Sequence, residues 1–133
     1  MSEKEHTILK CAECGAIVEV IDECTCAGDC TFQCCGKPMT ELKEKTADMA
    51  TEKHVPVATA LPSGGTKVVV GSTPHPMTPE HYIEWIEIIN GPYVNRCRLK
   101  PGDAPEAQFH VTVKPGMVVR EYCNLHGLWV NKL

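Results

Sequence analysis

From residue 52 onward, apolar positions come in short runs separated by turn formers. Val55–Ala60, Lys67–Val70, Tyr82–Ile89, Tyr93–Leu99, Gln108–Val113 and Val118–Cys123 are rich in valine, isoleucine and aromatic residues. Such side chains fit a pleated, half-buried surface, so each run predicts a β-strand. The punctuation between them is Pro62-Ser-Gly-Gly65, Asn90-Gly-Pro92, Lys100-Pro-Gly-Asp103 and Lys114-Pro-Gly116. Short strands at this spacing predict an antiparallel sandwich or barrel. The run Tyr82–Ile89 is ambiguous by periodicity, and its β-branched and aromatic content decides for strand. The first 38 residues are different. One short strand-like run, Ile17–Ile21, lies within residues 9–38, which hold too few apolar side chains to bury a core. A bound metal would have to stabilise that segment. Residues 39–51 are polar and charged and read as a linker in preference to a short helix. The expected division is therefore 1–38, 39–51 and 52–133. No internal repeat or low-complexity tract is visible.

Composition narrows the partners. The formal net charge is −4, which gives no basic footprint and argues against nucleic acid. No apolar run is long enough to span a bilayer, and the N-terminus lacks the apolar core of a secretory signal. The expected location is the cytoplasm. Nine cysteines are present, seven of them between Cys11 and Cys35 and only Cys97 and Cys123 beyond. In a reducing compartment, thiols clustered so unevenly point to metal binding more than to disulfides.

Cys11-Ala-Glu-Cys14 can chelate one ion from a tight turn helped by Gly15, and Cys34-Cys35-Gly36 is the matching half. Four thiolates suit tetrahedral zinc or a single iron. Adjacent cysteines are unusual in zinc ribbons, because neighbouring side chains reach two tetrahedral vertices only with strain. A plain zinc knuckle and a disulfide framework are the blander readings. Cys24, Cys26 and Cys30 compete for the same four positions. The flanking glycines favour Cys11, Cys14, Cys34 and Cys35, and the loop at 22–31 receives no role beyond spare thiols able to form a disulfide.

The second constellation is rich in imidazole. His54 opens the first strand of the β-rich half, and His75-Pro-Met-Thr-Pro-Glu-His81 places two histidines on a proline-stiffened loop. Cys123 ends the last long strand, and His126 sits in the turn closed by Gly127. Each histidine alone is more often a surface or core residue. Five candidates at turns, where a sandwich gathers its loops, favour a metal held by four imidazoles and one thiolate. Such a set suits zinc, copper, iron or nickel and leaves one octahedral position open. His110, expected within a strand, together with His6, Cys97, Met77 and Trp85, reads as non-ligand.

Several strings resemble one family closely: Glu52-Lys-His-Val-Pro56, His75-Pro-Met77, His81-Tyr-Ile-Glu-Trp-Ile-Glu87, Lys100-Pro-Gly-Asp-Ala-Pro-Glu-Ala107 and Glu121-Tyr-Cys-Asn-Leu-His-Gly127. They resemble desulfoferrodoxin, the two-iron class of superoxide reductase. Cys11–Val20 and Cys34-Cys-Gly-Lys-Pro-Met39 are similar to its desulforedoxin-type N-terminal domain. The resemblance covers nearly the whole chain. It implies a mainly β protein, with a small desulforedoxin-like domain and an immunoglobulin-like antiparallel β-sandwich.

It also implies that His54, His75, His81 and His126 are the equatorial ligands of a square-pyramidal iron, with Cys123 the axial thiolate. Glu52 would be the carboxylate that fills the sixth position in the oxidised state, and Lys53 the cation beside the open site. Cys11, Cys14, Cys34 and Cys35 would hold a second iron. The stretch between Cys14 and Cys34 departs from the family by several extra residues and three thiols. The implied activity is one-electron reduction of superoxide to hydrogen peroxide, a detoxification fed by a rubredoxin-like electron donor, in a homodimer. A non-enzymatic zinc- or iron-binding or electron-transfer module is the alternative from another class, and a dismutase is the rival enzyme.

Overall fold

The computed structural model describes residues 4–25, 28, 31–46 and 54–133. The chain divides into two compact units, the first ending at Lys43 and the second running from Glu44 to Leu133. Among the described residues the first unit holds five short strands: β1 (Ile8–Lys10), β2 (Ile17–Glu19), β3 (Gln33–Cys34), β4 (Lys37–Pro38) and β5 (Thr40–Glu41). Strands β2, β1 and β5 form an antiparallel sheet, and β3 pairs with β4 across a tight turn. Ile8, Leu9 and Val20 are its buried apolar side chains, with Cys11 beside them.

The expected linker at 39–51 does not start where the polarity of the segment suggested. Thr40 pairs with Lys10 and Glu41 with Leu9, so these two residues complete the small sheet. Lys45 forms a parallel bridge with Trp129 in the second unit's own sheet. Polar sequence is no bar to strand pairing at a sheet edge, where the backbone supplies the bonds. Residues 47–51 of that stretch lie outside the described residues.

The second unit contains β6 (Pro56–Ala60), β7 (Thr66–Val70), β8 (Ile83–Asn90), β9 (Tyr93–Arg98), β10 (Glu106–Phe109), β11 (Val118–Cys123) and β12 (Gly127–Lys132). They form two antiparallel sheets, ordered β10-β7-β6 and β12-β11-β8-β9. This three-plus-four arrangement is an immunoglobulin-like sandwich. The core between the sheets is Val68, Val70, Ile83, Ile86, Ile88, Ala107, Phe109, Met117, Val119 and Cys123. Alternation along β8 and β11 explains that list, since side chains two apart share a face.

Two strand expectations change. The run expected at Gln108–Val113 is displaced to Glu106–Phe109, so His110 lies past the strand end and is exposed. Its partner β7 begins at Thr66, directly after the turn at 61–65, and the ladder runs out where Phe109 meets Thr66. Beyond it, Val111 is held by the Thr66 side chain, whose hydroxyl donates to the Val111 carbonyl at 2.6 Å. Strand β12 is not among the strands the apolar runs predict. It pairs along the whole of β11, from Val118 with Lys132 to Cys123 with Gly127.

The outward face of the four-stranded sheet hides charge. Glu87 stands between Arg120 on β11 and Arg96 on β9, each directly opposite it. Arg120 Nε donates to Glu87 Oε2 at 2.6 Å, and Arg96 Nε donates to Oε1 at 2.7 Å. Glu87 and Arg120 are both buried, and Arg120 also reaches Glu44 at 3.0 Å. A buried carboxylate between two guanidiniums satisfies its hydrogen-bonding capacity and fixes the register of three strands.

Candidate metal centres

The ends of the sandwich strands deliver the imidazole-rich site. His54 precedes β6, and Cys123 is the last residue of β11, with a register shift between Tyr122 and Cys123. The turn that follows carries His126 and closes at Gly127, whose φ of +91° is the left-handed conformation a glycine adopts without strain. His81 is held by paired backbone bonds with Thr78, at 3.0 and 3.1 Å. Asn124 ties this loop to the turn. Its Oδ1 accepts from Tyr82 N at 3.0 Å, and its Nδ2 donates to the Glu80 carbonyl at 3.0 Å.

The result is a closed ring of four imidazoles. Centroids of His54 and His75 lie 4.9 Å apart, His75 and His81 4.7 Å, His81 and His126 4.8 Å, and His126 and His54 4.6 Å. Neighbouring planes cross at 69–79°. His54 Nε2 and His126 Nδ1 are 2.9 Å apart, and Cys123 Sγ lies 3.8 Å from the same Nδ1. One ligand atom from each of His54, His75, His81, Cys123 and His126 falls within 4.8 Å of all the others. His75 Nδ1 faces the Pro76 carbonyl at 2.7 Å, which fixes the ring and turns Nε2 to the centre.

Electrostatics agree with a cation site. Burial, then the imidazoles of His75, His126 and His81 and the Lys45 ammonium, hold His54 down at about 4. Burial and His126 also lower His81. Both rings are therefore neutral at pH 7, the form that ligates metal. Burial pushes the Cys123 thiol up, opposed by N–H groups of Leu125 and His126 that point at the sulfur. The buried Nε2 of His81 has no hydrogen-bond partner among the described residues. A metal ion resolves both problems, because it ionises the thiol and occupies the orphaned nitrogen lone pair. The donor set fits iron.

Glu52 and Lys53 lie outside the described residues. Met77 packs against the core and Trp85 against Tyr122, 6.0 Å between ring centroids, in line with packing roles. Sequence reasoning missed Trp129, which stacks on His54 at 4.9 Å and 14°, and Lys45 and Asn124. The alternation of Leu128 and Val130 with Trp129 and Asn131 is the signal that would have exposed Trp129.

The first unit gathers the four expected cysteines. Sγ atoms of Cys14 and Cys34 are 3.6 Å apart, those of Cys34 and Cys35 4.0 Å, and all four ligand atoms lie within 4.8 Å of one another. The adjacent pair is accommodated by backbone conformation. Cys35 has φ of +55° and Gly36 of +75°, so the chain turns sharply between neighbouring sulfurs. The Cys14 N–H donates to Cys11 Sγ at 3.5 Å and lowers that thiol to about 7, whereas hydrogen bonding with Cys14 and Cys11 raises Cys34. One thiolate forms readily and the next are opposed by it, the pattern a bound cation reverses. Cys24 is disulfide-bonded, and Cys26 and Cys30 lie outside the described residues.

A β-sandwich whose strand ends gather four imidazoles around one buried thiolate, joined to a four-cysteine unit, defines a class of two-centre, metal-binding redox protein. The chain belongs to the desulfoferrodoxin family: the Desulfoferrodoxin family model matches residues 46–132. It is 50% identical over 125 residues to the desulfoferrodoxin of Nitratidesulfovibrio vulgaris, covering 94% of each chain. It is 38% identical over 106 residues to the superoxide reductase of Pyrococcus abyssi, covering 67% of this chain and 92% of the other. The crystal structure of the superoxide reductase from Treponema pallidum superposes with a TM-score of 0.71 at 30% identity, covering 95% of this chain and 96% of that one.

Proposed function

We propose that the chain is a superoxide reductase, in which superoxide takes up one electron and two protons to leave as hydrogen peroxide. The observation that carries this reading is the convergence of His54, His75, His81, Cys123 and His126 in a desulfoferrodoxin-family chain. Iron held by these five residues would supply the one-electron chemistry. The protein's part is to orient the donors and admit the anion. Cys123 is buried and His126 exposed, so the thiolate faces the core while the imidazole ring borders solvent. Protons for peroxide then come from water at the exposed turn. Glu52 and Lys53, adjacent to His54 in sequence, are assigned the carboxylate and cation that flank the open side.

Cys11, Cys14, Cys34 and Cys35 form a closed sulfur set that would hold a second iron or zinc. Family membership supports a rubredoxin-like electron donor and a homodimer. Metal analysis with visible absorption tests the two centres. The expected result is iron at the five-donor site with a ferric–thiolate band, lost together with reductase activity in Cys123→Ser. A colourless protein holding zinc alone at both groups contradicts the reading and favours a non-enzymatic metal module.

A further inference from the structure

Lys45 reaches the five-donor site from outside the ligand set. Its backbone is fixed on β12, where its N–H donates to the Leu128 carbonyl at 2.9 Å and its carbonyl accepts from Val130 N at 2.8 Å. The side chain then crosses Gly127. A Cβ added at that glycine would lie 3.4 Å from Lys45 Nζ. Nζ donates to the His126 carbonyl at 2.8 Å. It also stands 5.5 Å from the centroid of the Trp129 ring, within cation–π range. Trp129 Nε1 donates to the same His126 carbonyl at 3.1 Å, and the indole stacks on His54. One ammonium thus touches the backbone of one imidazole residue and the aromatic ring that sets the plane of another.

We propose that Lys45 is a positioning residue of the His54–His75–His81–Cys123–His126 centre, pinning the His126 carbonyl and the Trp129–His54 stack and placing a fixed positive charge beside the metal. The proposal rests on the reading that these five residues hold iron. A positive charge this close favours the reduced, less positive state of a metal couple and so raises its potential. Geometry and charge are separable by substitution. Lys45→Met keeps the stem and removes donor and charge, Lys45→Gln keeps a donor without charge, and Lys45→Arg keeps both. The backbone bridge to β12 is independent of the side chain, so these variants should fold.

The test uses the full-length iron-loaded protein and reads midpoint potential, the ferric–thiolate band and iron loss to a chelator. Lys45→Met is expected to shift the potential downward, move the band and lose iron ~10-fold faster, the lower end of the effect of removing a ligand-orienting partner. Lys45→Arg should match the wild type, and Lys45→Gln should restore iron retention more than potential. A Lys45→Met protein that melts like the wild type yet holds no iron also supports the proposal. Wild-type potential, band and retention in Lys45→Met overturn it, as does unfolding of both Lys45→Met and Lys45→Gln, which would make Lys45 a structural brace. Failure of the underlying reading shows separately, as a wild-type chain that takes up no iron at the five donors.

Discussion

At the scale of single residues, the ligands were legible because each stands where a strand meets a turn, and because histidine and cysteine have few other reasons to cluster there. Lys45 was illegible, since its role depends on the His126 carbonyl far along the chain. Two predictions belong here. Lys53, beside His54, is expected to concentrate superoxide against the net charge of −4. A local positive charge raises such on-rates by ~10-fold or more and is screened by salt. Lys53→Ala should therefore slow the reaction most at low ionic strength, and an unchanged rate and salt profile would contradict the assignment. Glu121 is the second case. It is fully buried on the core face of β11, and neither carboxylate oxygen has a hydrogen-bond partner among the described residues. Burial raises it from 4.5 to about 9, so the folded protein keeps its proton at pH 7. The folded state then binds more protons than the unfolded one, and stability falls as pH rises between these values, by up to ~1.4 kcal/mol per unit. Glu121→Gln removes that slope. Denaturant unfolding at pH 6 and pH 8 measures it, and equal slopes in the two proteins would show that Glu121 is not neutral when folded.

At the scale of elements, alternation located six sandwich strands but misplaced β10 and omitted β12. Strand ends are set by where the partner's ladder stops, and residues 108–113 carry no mark that β7, which begins at Thr66, offers no partner beyond Phe109. For β12 the period-two signal was present: Leu128 and Val130 are buried while Trp129 and Asn131 are half-exposed. The short strands of the first unit were less legible, because two- and three-residue pairings leave no periodicity to count. Gly65 tests how tightly β7 and β10 meet. A Cβ there would sit 2.5 Å from the Phe109 carbonyl oxygen, a backbone atom unable to swing aside. Gly65→Ala should cost ~1–3 kcal/mol, as overpacking typically does. The turn at 61–65 lies at the far end of β6 from His54, so the ferric–thiolate band should persist while the melting temperature drops. An unchanged melting temperature would mean that the two strands separate without cost.

At the scale of the whole molecule, the crowding of seven cysteines between Cys11 and Cys35 marks off the first unit, and the histidines at turns mark the second. The cluster of thiols is confined to the first, and the imidazoles converge in the second. Hidden from the sequence was the interior ion pairing of Glu87 with Arg96 and Arg120, because a period-two pattern assigns charged positions to solvent. Product stoichiometry tests the reductase activity most directly. With a reductant in excess and superoxide supplied at a known rate, peroxide and oxygen are counted together. A superoxide reductase gives one hydrogen peroxide for each superoxide consumed, with no oxygen released. One peroxide for every two superoxides, with an equal amount of oxygen, would make the protein a dismutase and contradict it.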